Sequence, residues 1–227
     1  MRRRALILAG LSIAAAPAWA QQQQLLESLT QGDASRGIKE ALSLAATRST
    51  DRLGRVDGFF ADPRVHIPLP TRFAQVQRTL RGLGLGAPLD DLELRMNRAA
   101  EAAMPEARRL FVDTVRSITI ADAIQIVRGG DTAATAFLRG RTEPRLNTLL
   151  TPPMTRTLRE AGAFTALDFA AREVGMGGMS TSLRNDVTRF AVTKALDGAF
   201  LYVAEEERAI RRDPVRRTSD ILRRVFG

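Results

Sequence analysis

The sequence predicts an all-α protein, a single domain of about eight to ten helices, and three observations carry that prediction. Apolar residues recur three and four positions apart along nearly the whole chain. The periodic stretches are separated by Gly, Pro, Ser, Thr or Asp, which start and stop helices. No paired runs alternate apolar and polar residues, as hairpin strands would. At 227 residues and 44% hydrophobic, the chain can bury a sizeable core, and neither an internal repeat nor a linker divides it.

The first element is a leader. Arg2, Arg3 and Arg4 precede an apolar stretch from Ala5 to Ala16, and Pro17-Ala18-Trp19-Ala20 follows before Gln21. Ala18-x-Ala20 is the small-residue pattern of a signal-peptidase site, so cleavage is expected after Ala20 and the mature chain is expected in the periplasm. The apolar stretch is too short for the roughly 18 residues of a membrane span, and no later segment is long and uncharged enough. With no cysteine to carry a lipid, the mature chain is expected to be soluble and to keep no stable membrane anchor. Without the leader it has 31 basic and 25 acidic residues, a net charge of +6. Only Lys39 and Lys194 are lysines, a skew that reads as codon bias in a GC-rich genome, and export separates the chain from chromosomal nucleic acid. Arg208, Arg211, Arg212, Arg216, Arg217, Arg223 and Arg224 make a basic C-terminal end. With Glu205, Glu206 and Glu207 as neighbours, it reads as a solvated helix face before a site for anionic lipid or cell-wall polymer.

In the mature chain, residues 21–33 open on a glutamine run and are expected to be disordered. A helix follows from Ser35 to Leu53 and ends near Gly54. From Asp57 to Pro70, three prolines forbid a helix, so the segment should lie extended across helices with Val65, Ile67 and Leu69 buried. A helix from Thr71 to Leu83 ends in Gly82-Leu83-Gly84-Leu85-Gly86. These glycines follow a helix, which makes them a terminator and not a nucleotide-binding turn. The next helix runs from Leu89 to Met104, and Pro105 opens or kinks its successor. Thr119-Ile120-Ala121-Asp122 has the spacing of a capping box, and its helix ends at Gly129-Gly130. Asp131 is expected to cap another helix. Thr151 ahead of Pro152-Pro153 is expected to start a helix reaching Val174. A glycine loop carrying Met176 and Met179 comes next, then a long helix from Leu183 to Arg212. Asp213-Pro214 separates this from a short terminal helix, Ser219 to Phe226.

The residue inventory narrows the chemistry. Without cysteine, thiol catalysis, disulfides and cysteine-ligated metals are excluded, and the single histidine, His66, supports neither a multi-histidine metal site nor a Ser-His-Asp triad. Carboxylate, hydroxyl and guanidinium groups remain, and no cofactor is expected. The stretch from Ala191 to Ala204 is apolar almost all round, so it should be a central buried helix on which Lys194 and Asp197 share a face and need partners. Glu93, Asn97 and Glu101 recur every four residues on another helix, with Arg98 beside them to pair a carboxylate. In one reading the two clusters converge on a polar cavity where Glu101, Asp197 and Glu205 could serve as paired carboxylates, as glycan cleavage requires. In the other they form a buried salt-bridge network that fixes helix register. Glu205-Glu206-Glu207 point in different directions on a helix and do not make a metal site.

Four ordered motifs carry a resemblance: Asp57-Gly58-Phe59-Phe60 with Ile67-Pro68-Leu69-Pro70; Met96-Asn97-Arg98-Ala99-Ala100-Glu101; Lys194-Ala195-Leu196-Asp197-Gly198 through Ala204-Glu205-Glu206-Glu207; and Arg217-Thr218-Ser219-Asp220-Ile221-Leu222-Arg223-Arg224-Val225-Phe226-Gly227. Over Leu25 to Gly227 the chain resembles the bacterial domain-of-unknown-function family 4197. The resemblance implies an exported, mostly helical protein of Gram-negative bacteria and supplies no catalytic residues. The scarcity of catalytic residue types favours a binding or interaction module for a small amphipathic ligand or an envelope protein. A carboxylate-dependent hydrolase of envelope glycan and an oligomeric structural protein are the rival readings.

Overall fold

The computed structural model describes residues 31–82, 84, 86–173, 175, 180–217 and 219–226. The expected leader and cleavage site lie outside the described residues, as do residues 21–30 and Met176 and Met179. The described residues form eight α-helices, a short 3-10 turn (Pro214–Arg216) and no strand, as the sequence predicts.

Four long helices pack as a ring: α1 (Gln31–Leu53) on α3 (Ala87–Arg116), α3 on α5 (Ala133–Glu160), α5 on α7 (Ser180–Arg212), and α7 back on α1. The short helices dress this ring. Against α1 lie α4 (Ile120–Val127) and α8 (Asp220–Phe226), while α2 (Thr71–Gly82) and α6 (Ala163–Glu173) pack on α3. The period of α3 is plain: Leu89, Leu92, Met96, Ala99, Ala100, Ala103, Met104, Ala107, Phe111 and Val115 are all buried. Its four buried alanines let neighbouring helices approach closely, and Phe111 meets Phe200 of α7 edge-on, ring centroids 5.2 Å apart. Each fully buried large apolar side chain here contributes about 1.5–3 kcal/mol.

Several boundaries differ from the sequence expectation. α1 starts at Gln31, so 31–33 are helical, with Asp33 in the first turn paired to Arg36 at 3.1 Å. Asp33 sits where the helix macrodipole favours a negative charge. Pro105 neither opens nor ends a helix and lies inside α3. Pro144, Pro152 and Pro153 likewise lie inside α5, so no helix begins at Thr151. An interior proline costs about 3 kcal/mol, and burial of Leu146, Leu150, Met154 and Leu158 in the core offsets it. The break falls at Gly162, whose φ of +74° ends α5 as its N–H returns to the Arg159 carbonyl at 3.0 Å. The Thr119–Asp122 capping box forms as predicted.

Asp131 does not cap α5; it pairs with Arg212. The cap comes from far along the chain. Glu207 of α7 accepts from the Ala134 N–H (3.0 Å), the Thr135 N–H (2.8 Å) and the Thr135 hydroxyl (2.7 Å), and it pairs with Arg211 at 2.9 Å. The two backbone donors lack an intrahelical acceptor, so a carboxylate held by tertiary structure replaces the local side chain. At helix C-termini, Lys39 donates to the Arg116 carbonyl at the end of α3 (2.9 Å), and Arg217 donates to the Ile210 and Arg211 carbonyls at the end of α7.

Candidate functional site

The segment between α1 and α2 carries the first sequence motif and is the hub on which the motifs of α3 and α7 meet. Its first half is a series of turns and its second half, from His66 to Pro70, is extended. Val65, Ile67 and Leu69 are buried as predicted, and Phe59 is buried with them. Asp57 takes the left-handed conformation (φ 67°). Gly58 then passes beneath the end of α1, where a Cβ would lie 2.5 Å from the Leu53 carbonyl oxygen and 2.7 Å from that of Arg52. Only glycine fits there without moving backbone.

One face of α3 clamps this segment. Glu101 accepts from the Phe59 and Phe60 N–H groups (3.1 and 3.2 Å) and from Arg98 (2.7 Å), and Arg98 reaches across to Asp57 at 2.7 Å. The Glu101 bond first, then that to Asp57, raises the Arg98 guanidinium above its ordinary pKa. Asn97, fully buried, accepts from the Ile67 N–H at 2.9 Å and donates to the Ile67 carbonyl at 2.8 Å and the Glu93 carbonyl at 2.9 Å. Glu93 holds His66 Nε2 at 2.6 Å and accepts from Gln77 of α2 at 2.7 Å. His66 Nδ1 faces the Phe60 carbonyl at 2.8 Å, so a ring with one proton serves one of these acceptors and a ring with two serves both.

α7 supplies the opposite wall. Gly198 interrupts its apolar stretch because Phe59 and Val65 press against it: a Cβ there would be 2.9 Å from the Phe59 ring and 3.1 Å from Val65. One turn on, Tyr202 donates to Asp62 and accepts from Arg64, while Arg64 pairs with Glu205 at 2.8 Å. The Arg52 and Arg64 guanidiniums lie 4.3 and 4.9 Å from the Tyr202 ring centroid. Burial pushes the Asp62 carboxyl up, but hydrogen bonds from Tyr202 and from the Arg64 backbone and side chain overcome it and hold it at about 2. Burial first, and the bond to Asp62 second, raises the Tyr202 phenol above its ordinary value of 10.0.

The two predicted clusters therefore do not bond to each other among the described residues; the 57–70 segment lies between them. Glu93, Asn97, Arg98 and Glu101 hold one side of it and Glu205 holds the other. Lys194 and Asp197 stand apart. α7 is central as expected, with Ala191, Val192, Ala195, Leu196, Ala199 and Val203 buried, but Lys194 and Asp197 are only half-buried. Their shared face points into a groove, where water solvates both and the expected burial penalty does not arise. Asp197 pairs with Arg139 of α5, which also grips Glu143 at 3.1 Å, and Lys194 lies 3.7 Å from Asp197.

That groove is an open cleft of about 640 Å³. Its floor is α7 from Lys194 through Gly198 and Leu201 to Ala204. One wall is the 64–68 stretch of the segment, the other the first turns of α5 with Thr135, Ala136 and Arg139. Arg64, Asp62, Tyr202 and Arg139 are the residues sequence reasoning missed. The Arg139–Glu143 spacing and the uniqueness of Tyr202 were visible signals, but neither tells which helices meet. Among the described residues no cluster of three or more His, Asp or Glu is placed to hold a metal ion, and no helix is long and apolar enough to cross a membrane.

Fold and site together define an all-helical protein whose helix ring grips one proline-rich strap beside an open, cation-edged groove. The chain belongs to the family described as "Protein of unknown function (DUF4197)", whose model matches residues 28–227. No curated protein and no solved structure matches the chain.

Proposed function

We propose that the protein is an exported binding module of the bacterial cell envelope and that the groove between α5, α7 and the 57–70 segment receives its ligand. The observation that carries this reading is the groove itself: its volume lies within the several hundred Å³ of small-molecule sites, with apolar Pro68, Ala136 and Leu201 between charged ends. The leader with Ala18-x-Ala20 supports export to the periplasm. The carboxylates named for glycan cleavage support binding over hydrolysis. Glu101 is closed by Arg98 and two backbone N–H groups, Asp197 by Arg139, and Glu205 by Arg64, so each is engaged by the fold and no two of them face a common space as a catalytic pair.

Native mass spectrometry of residues 21–227, purified from the periplasm of the host, tests the reading. A reproducible mass above that of the denatured chain is expected, and loss of that mass when Ala136→Phe fills the groove would place the ligand there. A bare native mass from freshly isolated protein overturns the binding reading, and absence of the chain from the periplasmic fraction overturns export.

A further inference from the structure

Within that binding reading, we infer that the groove takes a single-chain anionic amphiphile, its head group at Lys194 and Arg139 and its apolar body along α7 toward Leu201 and Ala204. The charges point to the sign of the head. Lys194, Arg139 and Arg64 line the groove against one carboxylate, Asp197, so the lining carries an excess of positive charge. Arg64 is already held by Asp62, Tyr202 and Glu205, and Arg139 spends two donors on Glu143 and one on Asp197. Lys194 is different. Its ammonium makes no hydrogen bond among the described residues, and its nearest carboxylate oxygen is 3.7 Å away.

The choice of residue adds to this. The chain has 34 basic residues and only two are lysine. Lys39 has a structural task at the carbonyl end of α3, while Lys194 lines the groove, partly open to solvent, with three donors to offer. An ammonium is a compact point charge that meets a carboxylate or phosphate from many directions, which suits a head group entering from solvent.

The shape points to the body. From Lys194 to Ala204 the floor of α7 rises about 15 Å. Between its charged ends Gly198, Leu201 and Ala204 form an apolar strip, with Pro68 and Ala136 on the walls. Gly198 adds no side chain to the strip, and Val65, packed against it, lines the groove beside it. An open strip with a cation at each end, of which Arg64 is already held by Asp62, Tyr202 and Glu205, fits one alkyl chain lying lengthwise with its anionic end at Lys194.

The test is isothermal titration calorimetry of the delipidated mature chain, each probe kept below its micelle concentration. The probes are dodecanoate, dodecyl phosphate, dodecyltrimethylammonium and dodecyl maltoside. Saturable binding of the two anions is expected, with little of the cation or the neutral maltoside. Lys194→Gln should weaken anion binding about tenfold, and added salt should weaken the parent in the same direction. Ala136→Phe, a change at an exposed position, should remove binding of every probe. Tighter binding of dodecyl phosphate assigns a phosphate-headed lipid as the source, and tighter binding of dodecanoate a free fatty acid. Equal binding of the maltoside, or an anion affinity untouched by Lys194→Gln, overturns the inference. A host-derived mass that neither anion displaces also overturns it, and in that case the broader binding reading stands.

Discussion

Replacing Asn97 by alanine should unlatch the 57–70 segment and destabilise the whole protein by about 3–4 kcal/mol. The side chain is fully buried and completes three bonds, two of them to the same residue, Ile67, which is also fully buried. Alanine leaves the Ile67 N–H and carbonyl dry and unpartnered, and each such orphan costs about 1–3 kcal/mol. Two of them near the middle of that range give the figure, and the lost bond to the Glu93 carbonyl adds only a little, because that carbonyl is a helix acceptor already. For a chain of this size each kcal/mol moves Tm by about 2–4 °C, so a fall of roughly 10 °C is expected. Asn97→Asp should be worse, because a carboxylate oxygen would face the Ile67 carbonyl in place of a donor. Urea melts followed by circular dichroism give the free energy, and hydrogen exchange at the Ile67 amide gives the local effect. A loss below 1 kcal/mol in Asn97→Ala, or an Ile67 amide as protected as in the parent, would refute the latch.

Three further outcomes follow from the same geometry. Glu207→Ala should cost about 3–5 kcal/mol by denaturant melts, since it uncaps α5 and removes the buried partner of Arg211, whereas a surface-like loss would show that water replaces the cap. Gly58→Ala should cost about 2 kcal/mol or more, because the added Cβ meets backbone at 2.5 Å and 2.7 Å that cannot swing aside; a thermal melt unchanged from the parent would contradict this. Asp62 links the site to pH. Its folded pKa of about 2 lies below the ordinary 3.8, so its stabilising share is complete above pH 4 and is lost as the pH falls toward 2. After discounting for its partial contact with solvent this share is about 1 kcal/mol. Acid melts of Asp62→Asn should lack that step, and in the parent the lone Tyr202 should titrate above 10 in an ultraviolet titration.

What was legible in the sequence was what depends on neighbours a few residues away. The 3.6-residue period marked the helices, Thr119 with Asp122 marked a cap, and the prolines of 57–70 with Val65, Ile67 and Leu69 marked a non-helical strap with a buried side, though only its end from His66 is extended and 57–65 fold into turns. Prolines inside α3 and α5 misled, because a local cost of a few kcal/mol yields to burial that only the assembled core provides. Of the site, the polar residues of α3 and α7 were visible as clusters, yet their meaning depended on what came between them. Asn97 is a latch because Ile67 lies opposite, Gly198 is a glycine because Phe59 and Val65 press on it, and Glu207 caps a helix more than 70 positions earlier in the chain. Lys194 and Asp197 share a face by their spacing, but whether that face meets core or water was decided by where α5 lies. Helical periodicity is a property of the chain alone, whereas the identity of a side chain's partner is fixed only when distant segments pack.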